Sequence, residues 1–149
     1  MRIVIQRVSF AEVVVDEVVV GRIDAGFLAL VGAEEGDASA DAAYCAEKTA
    51  GLRVFTDADG KMNLGLKDVN GKVLAVSQFT LLGDTRRGRR PSFVRAARPE
   101  AAKLLFDEYV QRVKQFDVPV ETGTFQAHMQ VSLNNDGPVT ILLDSRRLA

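Results

Sequence analysis

Asn134-Asn135-Asp136-Gly137-Pro138-Val139-Thr140 is the stretch on which the reading of this chain turns. Polar turn formers lead into a Gly-Pro pair, and the apolar, β-branched run from Val139 to Leu143 follows at once. Glycine reaches backbone angles closed to other residues, while proline fixes its φ and donates no main-chain hydrogen bond. Asn, Asp, Gly and Pro are the usual residues of tight turns. The spacing therefore predicts a hairpin turn between two closing strands, Thr124 to Leu133 and Val139 to Leu143. A sharper reading keeps the turn but has it hold exposed backbone carbonyls against a ligand.

Upstream of that turn, Arg98-Pro99 opens the strongest helix, with proline at the first helical position and Glu100 in the first turn. Ala102, Phe106, Tyr109, Val113 and Phe116 recur at helical spacing and form one core-facing stripe. Before it, the turn at Asn70-Gly71 releases a long strand, Lys72 to Leu81. Its apolar first half predicts a central place in a sheet; its polar second half, Ser77-Gln78-Phe79-Thr80, predicts a strand emerging at a site. Asp57 and Asp59 hint at a calcium loop, but Met62 stands where an EF-hand needs glycine and Asp68 where it needs glutamate. The segment reads as a hairpin turn between Arg53-Val54-Phe55 and Met62-Asn63-Leu64.

Nearer the start, an alanine-rich helix runs from Asp37 or Ser39, either able to cap it, to about Leu52. It carries Cys45 as a small buried hydrophobe. Phe27 to Val31 is a buried strand, Val13–Val15 and Val18–Val20 form a hairpin about Asp16-Glu17, and residues 2–8 open the chain as a strand. The expected fold class is α+β: a largely antiparallel, barrel-like sheet with two main helices, in a single domain over residues 1–149.

Composition narrows the function. With 149 residues, 47% hydrophobic and 26% charged, the chain has the makeup of an ordinary soluble domain. Its apolar runs fall well short of the roughly 18 residues that suggest a membrane helix, and its first residues do not resemble a signal peptide. One cysteine excludes an intramolecular disulfide and a multi-cysteine zinc site, which suits a reducing cytosol and a cytoplasmic location. No cofactor or metal is expected: the carboxylates have no ligand spacing, and there is no Walker loop or Gly-x-Ser-x-Gly elbow. The one histidine, His128, permits a Ser77–His128–Asp triad but shows no local signature for it.

A stronger signal is Thr85-Arg86-Arg87-Gly88-Arg89-Arg90-Pro91-Ser92-Phe93, which continues to Pro99 without an acidic residue. In a chain of net charge −1, Arg86, Arg87, Arg89, Arg90, Arg95 and Arg98 make a local basic patch. Arginine's planar fork suits phosphate, and Phe93 offers a stacking surface.

These residues carry a resemblance. Ser77-Gln78-Phe79-Thr80-Leu81, the run from Asp84 to Phe93, Asn135-Asp136-Gly137-Pro138-Val139-Thr140 and the opening Met1 to Val8 together resemble the D-aminoacyl-tRNA deacylase family, over essentially the whole chain. The resemblance implies a homodimeric hydrolase that cleaves the ester between a D-amino acid, or glycine mischarged on tRNA-Ala, and the 3′-terminal ribose of tRNA. It implies a cis Gly137-Pro138 bond that enters the partner subunit's active site and rejects L-amino acids through main-chain carbonyls, braced by Arg7. Ser77, Gln78, Phe79 and Thr80 would be the catalytic residues lining the pocket for the ester and terminal adenosine. Phe125 and Met129 would contact the adenosine, and Arg86, Arg87, Arg89 and Arg90 the tRNA. Gln126 and His128 depart from the glycine and aspartate that the family often has there. For the chemistry, Thr80 lacks an adjacent base to activate it as a nucleophile, and the resemblance implies the preferred route, attack by water assisted by the tRNA's own 2′-hydroxyl. Two other readings compete: a non-catalytic RNA-binding module using the arginine patch, and a serine hydrolase of small esters using Ser77 and His128.

Overall fold

In the computed structural model, which describes residues 1–147, the sheet is organised by one long strand, β1 (Arg2–Val15). Its first half pairs antiparallel with β3 (Gly26–Gly32) and its second half with β2 (Val18–Ile23). The β1–β2 connection is the hairpin read from the sequence. Asp16 and Glu17 both take positive φ, 47° and 66°, which the right-handed strand twist demands of a two-residue turn.

After β3 come α1 (Ser39–Gly51) and a small hairpin, β4 (Phe55–Thr56) and β5 (Met62–Leu64). Neither Asp37 nor Ser39 caps α1. Ala38 is the N-cap, and the Asp41 carboxylate accepts from its N–H at 2.9 Å. The chain then returns to the sheet as β6 (Lys72–Ser77), parallel to β3. This strand stops at Ser77 and not at Leu81, because Phe79–Leu82 folds into a single 3₁₀ turn. The helix α2 (Pro99–Lys114) crosses over to β7 (Val120–Thr122), parallel to β6. The sheet is thus mixed: antiparallel about β1, parallel beyond β3, with the helices in the crossovers as parallel pairing requires.

Two cores result. One fills the barrel-like interior with Val8, Ala11, Val13, Leu28, Leu74 and Val76. The other lies between the outer sheet face and both helices, with Ile3, Ile5, Phe27 and Ala75 against Cys45, Phe106, Tyr109 and Val113. Leu105 and Val110 join the buried face of α2, whereas Phe116 lies past the helix end and is exposed. Burial pushes the Cys45 thiol up to about 12, which makes it a packing residue. The Tyr109 hydroxyl, its own pKa raised by burial, shares a hydrogen bond of 2.9 Å with Thr49.

The largest departure from the sequence reading is at the C-terminal end. Thr124 to Met129 is not strand: Gln126 takes φ 65° and the Ala127 N–H closes a turn on the Thr124 carbonyl. The predicted hairpin is a single strand, β8 (Gln130–Asp144), antiparallel to β1 along nearly its whole length. Val131 faces Val13 and Ile141 faces Ile5, so the chain keeps its direction past the Gly-Pro pair. The register passes from Val8↔Asn135 to Gln6↔Thr140, leaving Asp136 to Val139 opposite Arg7 alone. Proline cannot donate to a ladder, and a bulge absorbs it without reversing the strand.

Candidate active site

Ser77 ends β6 beside Val31, and the Gln78 N–H extends the pairing by one bond to the Val31 carbonyl at 2.8 Å. The backbone then leaves the sheet. Leu82 is buried and anchors the turn, and the Gly83 N–H closes it on the Thr80 carbonyl at 3.0 Å. The Gln78 side-chain amide donates to the Thr80 hydroxyl, which ties the two polar side chains together. The first N–H groups of any helical turn have no partner within it, so those of Phe79 and Thr80 are available to an incoming oxygen.

This turn forms one wall of a cleft of about 700 Å³. Ser77, Gln78 and Phe79 line it with Ala97, just before α2, with Pro99 and Ala102 in the first turn of that helix, and with Phe125 to Met129. Phe79 and Phe93 meet edge to face at the mouth, ring centres 5.1 Å apart, and both remain partly exposed. A Cβ on Gly83 would come within 3.0 Å of the Thr80 carbonyl oxygen and 3.1 Å of the Phe93 ring, so glycine there lets Phe93 pack against the turn. Lys103 lies over the Phe125 ring at 6.0 Å.

Of the residues singled out from the sequence, the cleft gathers Ser77, Gln78, Phe79, Phe93, Arg98, Phe125, Gln126, His128 and Met129. Thr80 is on the same turn but is exposed and does not wall the cleft. His128 neighbours Gln130 at 3.3 Å, and among the described residues no hydrogen bond joins it to Ser77. The arginine patch is a loop rising from the rim, pinched shut by paired backbone bonds between Asp84 and Ser92 of 2.8 and 2.9 Å. Its arginines are not equivalent. Arg86 is held bidentately by Asp84, at 2.9 and 2.8 Å, and those bonds keep the Asp84 carboxyl well below the usual carboxylate range. Arg95 is bound to the buried Glu34 at 2.7 Å. Arg87, Arg89 and Arg90 are exposed and form no ion pair among the described residues.

Gly137 and Pro138 are not in this cleft. Their peptide bond is cis, both residues are exposed, and they project from the β8 bulge. Arg7 is buried beneath them, its Nε donating to the Asp136 carbonyl at 2.9 Å and its Nη1 to the Val54 carbonyl at 2.6 Å. Ser77 pairs with Val31 and Val31 with Ile3, four residues along β1 from Arg7, or ~13 Å at the usual strand rise. Within one chain the bulge and the cleft are therefore separate.

The cleft's α2 wall and the Gln126 turn were not visible in the sequence. A residue forced to positive φ without glycine leaves no compositional mark, but the Arg98-Pro99 start beside the arginine run was a usable sign that this helix end adjoins the site.

Known proteins share the fold and much of the sequence. The chain from residue 4 to residue 144 matches the family described as D-Tyr-tRNA(Tyr) deacylase. A D-aminoacyl-tRNA deacylase of Thermotoga petrophila is 55% identical over 99% of both chains, and one of Symbiobacterium thermophilum is 56% identical over 99% of this chain and 97% of its own. The solved structure of a protein named c-Myc DNA Unwinding Element Binding Protein superposes with a TM-score of 0.89 at 33% identity, over 97% of this chain and 98% of that one. Fold and relatives together define an enzyme of the hydrolase class, a deacylase. The chain belongs to the D-Tyr-tRNA(Tyr) deacylase family.

Proposed function

We propose that the protein hydrolyses the ester linking a D-amino acid, or glycine mischarged on tRNA-Ala, to the 3′-terminal ribose of tRNA, as a homodimer with its active sites at the subunit interface. The observation that carries this reading is the cleft itself. It joins an aromatic mouth, Phe79 and Phe93, to the turn Phe79–Leu82 beside Ser77, whose leading N–H groups find no partner within the turn. Aromatic faces stack on an unpaired terminal base, and backbone N–H groups stabilise an ester oxygen as it becomes an oxyanion.

In this reading water attacks the ester carbonyl carbon, the bond to the ribose 3′-oxygen breaks, and that oxygen leaves as a hydroxyl. The neighbouring 2′-hydroxyl relays the proton, so the protein contributes position and charge stabilisation, with Thr80 placed by Gln78 and not acting as a nucleophile. Chirality is read by the Gly137-Pro138 backbone of the partner subunit, steadied by Arg7. A gate of main-chain carbonyls rejects L-side chains by clash and tolerates any D-side chain or none, because its shape does not depend on the amino acid presented. The separation of bulge and cleft within one chain supports this arrangement: the gate can serve a cleft only across a subunit boundary. Phe125 and Met129 hold the terminal adenosine, and Arg87, Arg89 and Arg90 bind the tRNA backbone. Arg86, tied to Asp84, mainly shapes the loop.

Incubation with D-Tyr-tRNA and L-Tyr-tRNA tests the reading. Selective release of D-tyrosine is expected. Tight tRNA binding without cleavage would favour the RNA-binding module that the arginine loop alone suggests, and equal cleavage of both esters and of small esters would favour a serine hydrolase.

A further inference from the structure

The neck of the β8 bulge is closed by one side chain. Asn135 Nδ2 donates to the Arg7 carbonyl on β1 at 3.1 Å and to the Val139 carbonyl on its own strand at 2.9 Å. Both partners are carbonyl oxygens, so only the amide nitrogen can face them, and its two hydrogens are both used. The two bonds span the place where the ladder is interrupted, between Val8↔Asn135 and Gln6↔Thr140. From the other side Arg7 binds the Asp136 carbonyl at 2.9 Å. The carbonyls of Arg7, Asp136 and Val139 are thus all engaged inside the neck. Among the described residues no donor reaches those of Gly137 and Pro138 at the tip.

We infer that Asn135 is a positioning residue for chiral selection. Its amide fixes the distance between the two ends of the bulge and so fixes where the Gly137 and Pro138 carbonyls point. This deepens the proposed gate and rests on that reading. A carbonyl gate separates D- from L-esters only if its oxygens are held to a fraction of an ångström, since one bond rotation near the tip would open room for an L-side chain. Arg7 alone cannot supply this, because it holds only the Asp136 end of the bulge. Asn135 is also half-buried, so its bonds to carbonyls are not exchanged freely for bonds to water.

Two variants test the inference. Asn135→Asp keeps the shape but turns a carboxylate oxygen toward two carbonyls; Asn135→Ala removes the donors without adding charge. In each, the ratio of kcat/KM for D-Tyr-tRNA to that for L-Tyr-tRNA is expected to fall by about tenfold or more, the loss of two hydrogen bonds being worth about that much. The KM for the D-ester should stay within about threefold, because the cleft is untouched. A fall in D-ester hydrolysis with the D-to-L ratio unchanged would overturn the inference and leave Asn135 a purely structural residue, as would no change at all. A measurement on the unaltered protein guards against variants that do not fold. Hydrogen exchange of the Asn135 side-chain amide, followed by NMR, should be slowed about tenfold or more for both hydrogens relative to the exposed Asn134 amide. Equal exchange at the two residues would overturn the inference. Failure of the unaltered protein to distinguish D- from L-Tyr-tRNA is a different result, and would remove the proposed gate itself.

Discussion

The turn at Phe79–Leu82 and the bulge at Asp136–Val139 are both breaks in a β-strand, yet they are held in opposite ways. The turn is held by its own backbone and by a buried leucine, and it faces a cleft that its own chain completes. The bulge is held by side chains reaching across the sheet, Arg7 and Asn135, and its tip is exposed. A site that positions a reacting ester needs a wall that local bonding makes rigid. A selector that works on another surface needs a projecting element whose base is rigid and whose tip is free.

The largest effect should follow from Gly137→Ala. Gly137 sits at φ 133°, and a Cβ there would come within 3.0 Å of Arg7 Nη2 and 2.8 Å of a Val139 methyl. The variant should lose about 1–3 kcal/mol of stability in denaturant titration from the strained backbone alone. It should also lose about 100-fold in kcat/KM for the D-ester, the scale expected when a positioning element shifts by an ångström. Retention of full activity and selectivity would show that the bulge is not the selector.

Next, simultaneous replacement of Arg87, Arg89 and Arg90 by alanine should weaken tRNA binding and lower the slope of log affinity against log salt by about 2. Arg86→Ala should move that slope less, because its guanidinium is already bonded to Asp84. An unchanged slope in the triple variant would place the loop away from the tRNA. Thr80→Ala should cost about tenfold or less in kcat, the worth of one hydrogen bond. Complete loss with folding and substrate binding intact would make Thr80 the nucleophile and give the turn a chemical role. The smallest effect belongs to His128→Ala, expected within about twofold of the unaltered rate, as for an exposed side chain of the cleft lining whose side-chain neighbour is Gln130 and not Ser77.

The sequence exposed the turn more fully than the bulge, for physical reasons. Apolar periodicity located β3, β6 and α2, because burial on one or both faces leaves a pattern that can be read. The polar run after Val76 marked where β6 leaves the core, although the chain curls into a 3₁₀ turn there and does not run on as strand. Asn-Asp-Gly-Pro, by contrast, has the composition of a hairpin turn, and composition does not distinguish a reversal from a bulge. What decides is the partner strand: β1 is long enough to pair with residues on both sides of the break, a non-local fact. The same holds for Asn135, whose role depends on a carbonyl 128 residues away. The two arginines removed from the patch, Arg86 and Arg95, were likewise invisible until their partners, Asp84 and Glu34, were placed.

The central claim is that the bulge of one subunit serves the cleft of the other, and one measurement addresses it directly. Gln78→Trp, which fills the cleft and leaves β8 untouched, is co-expressed with Gly137→Ala under distinct affinity tags, and the heterodimer is purified and assayed on D-Tyr-tRNA. Each heterodimer joins one intact cleft to one intact bulge across the subunit boundary, so the account predicts about half the activity of the unaltered dimer from two nearly inactive parents. Activity no greater than the mean of the two parent homodimers would contradict it.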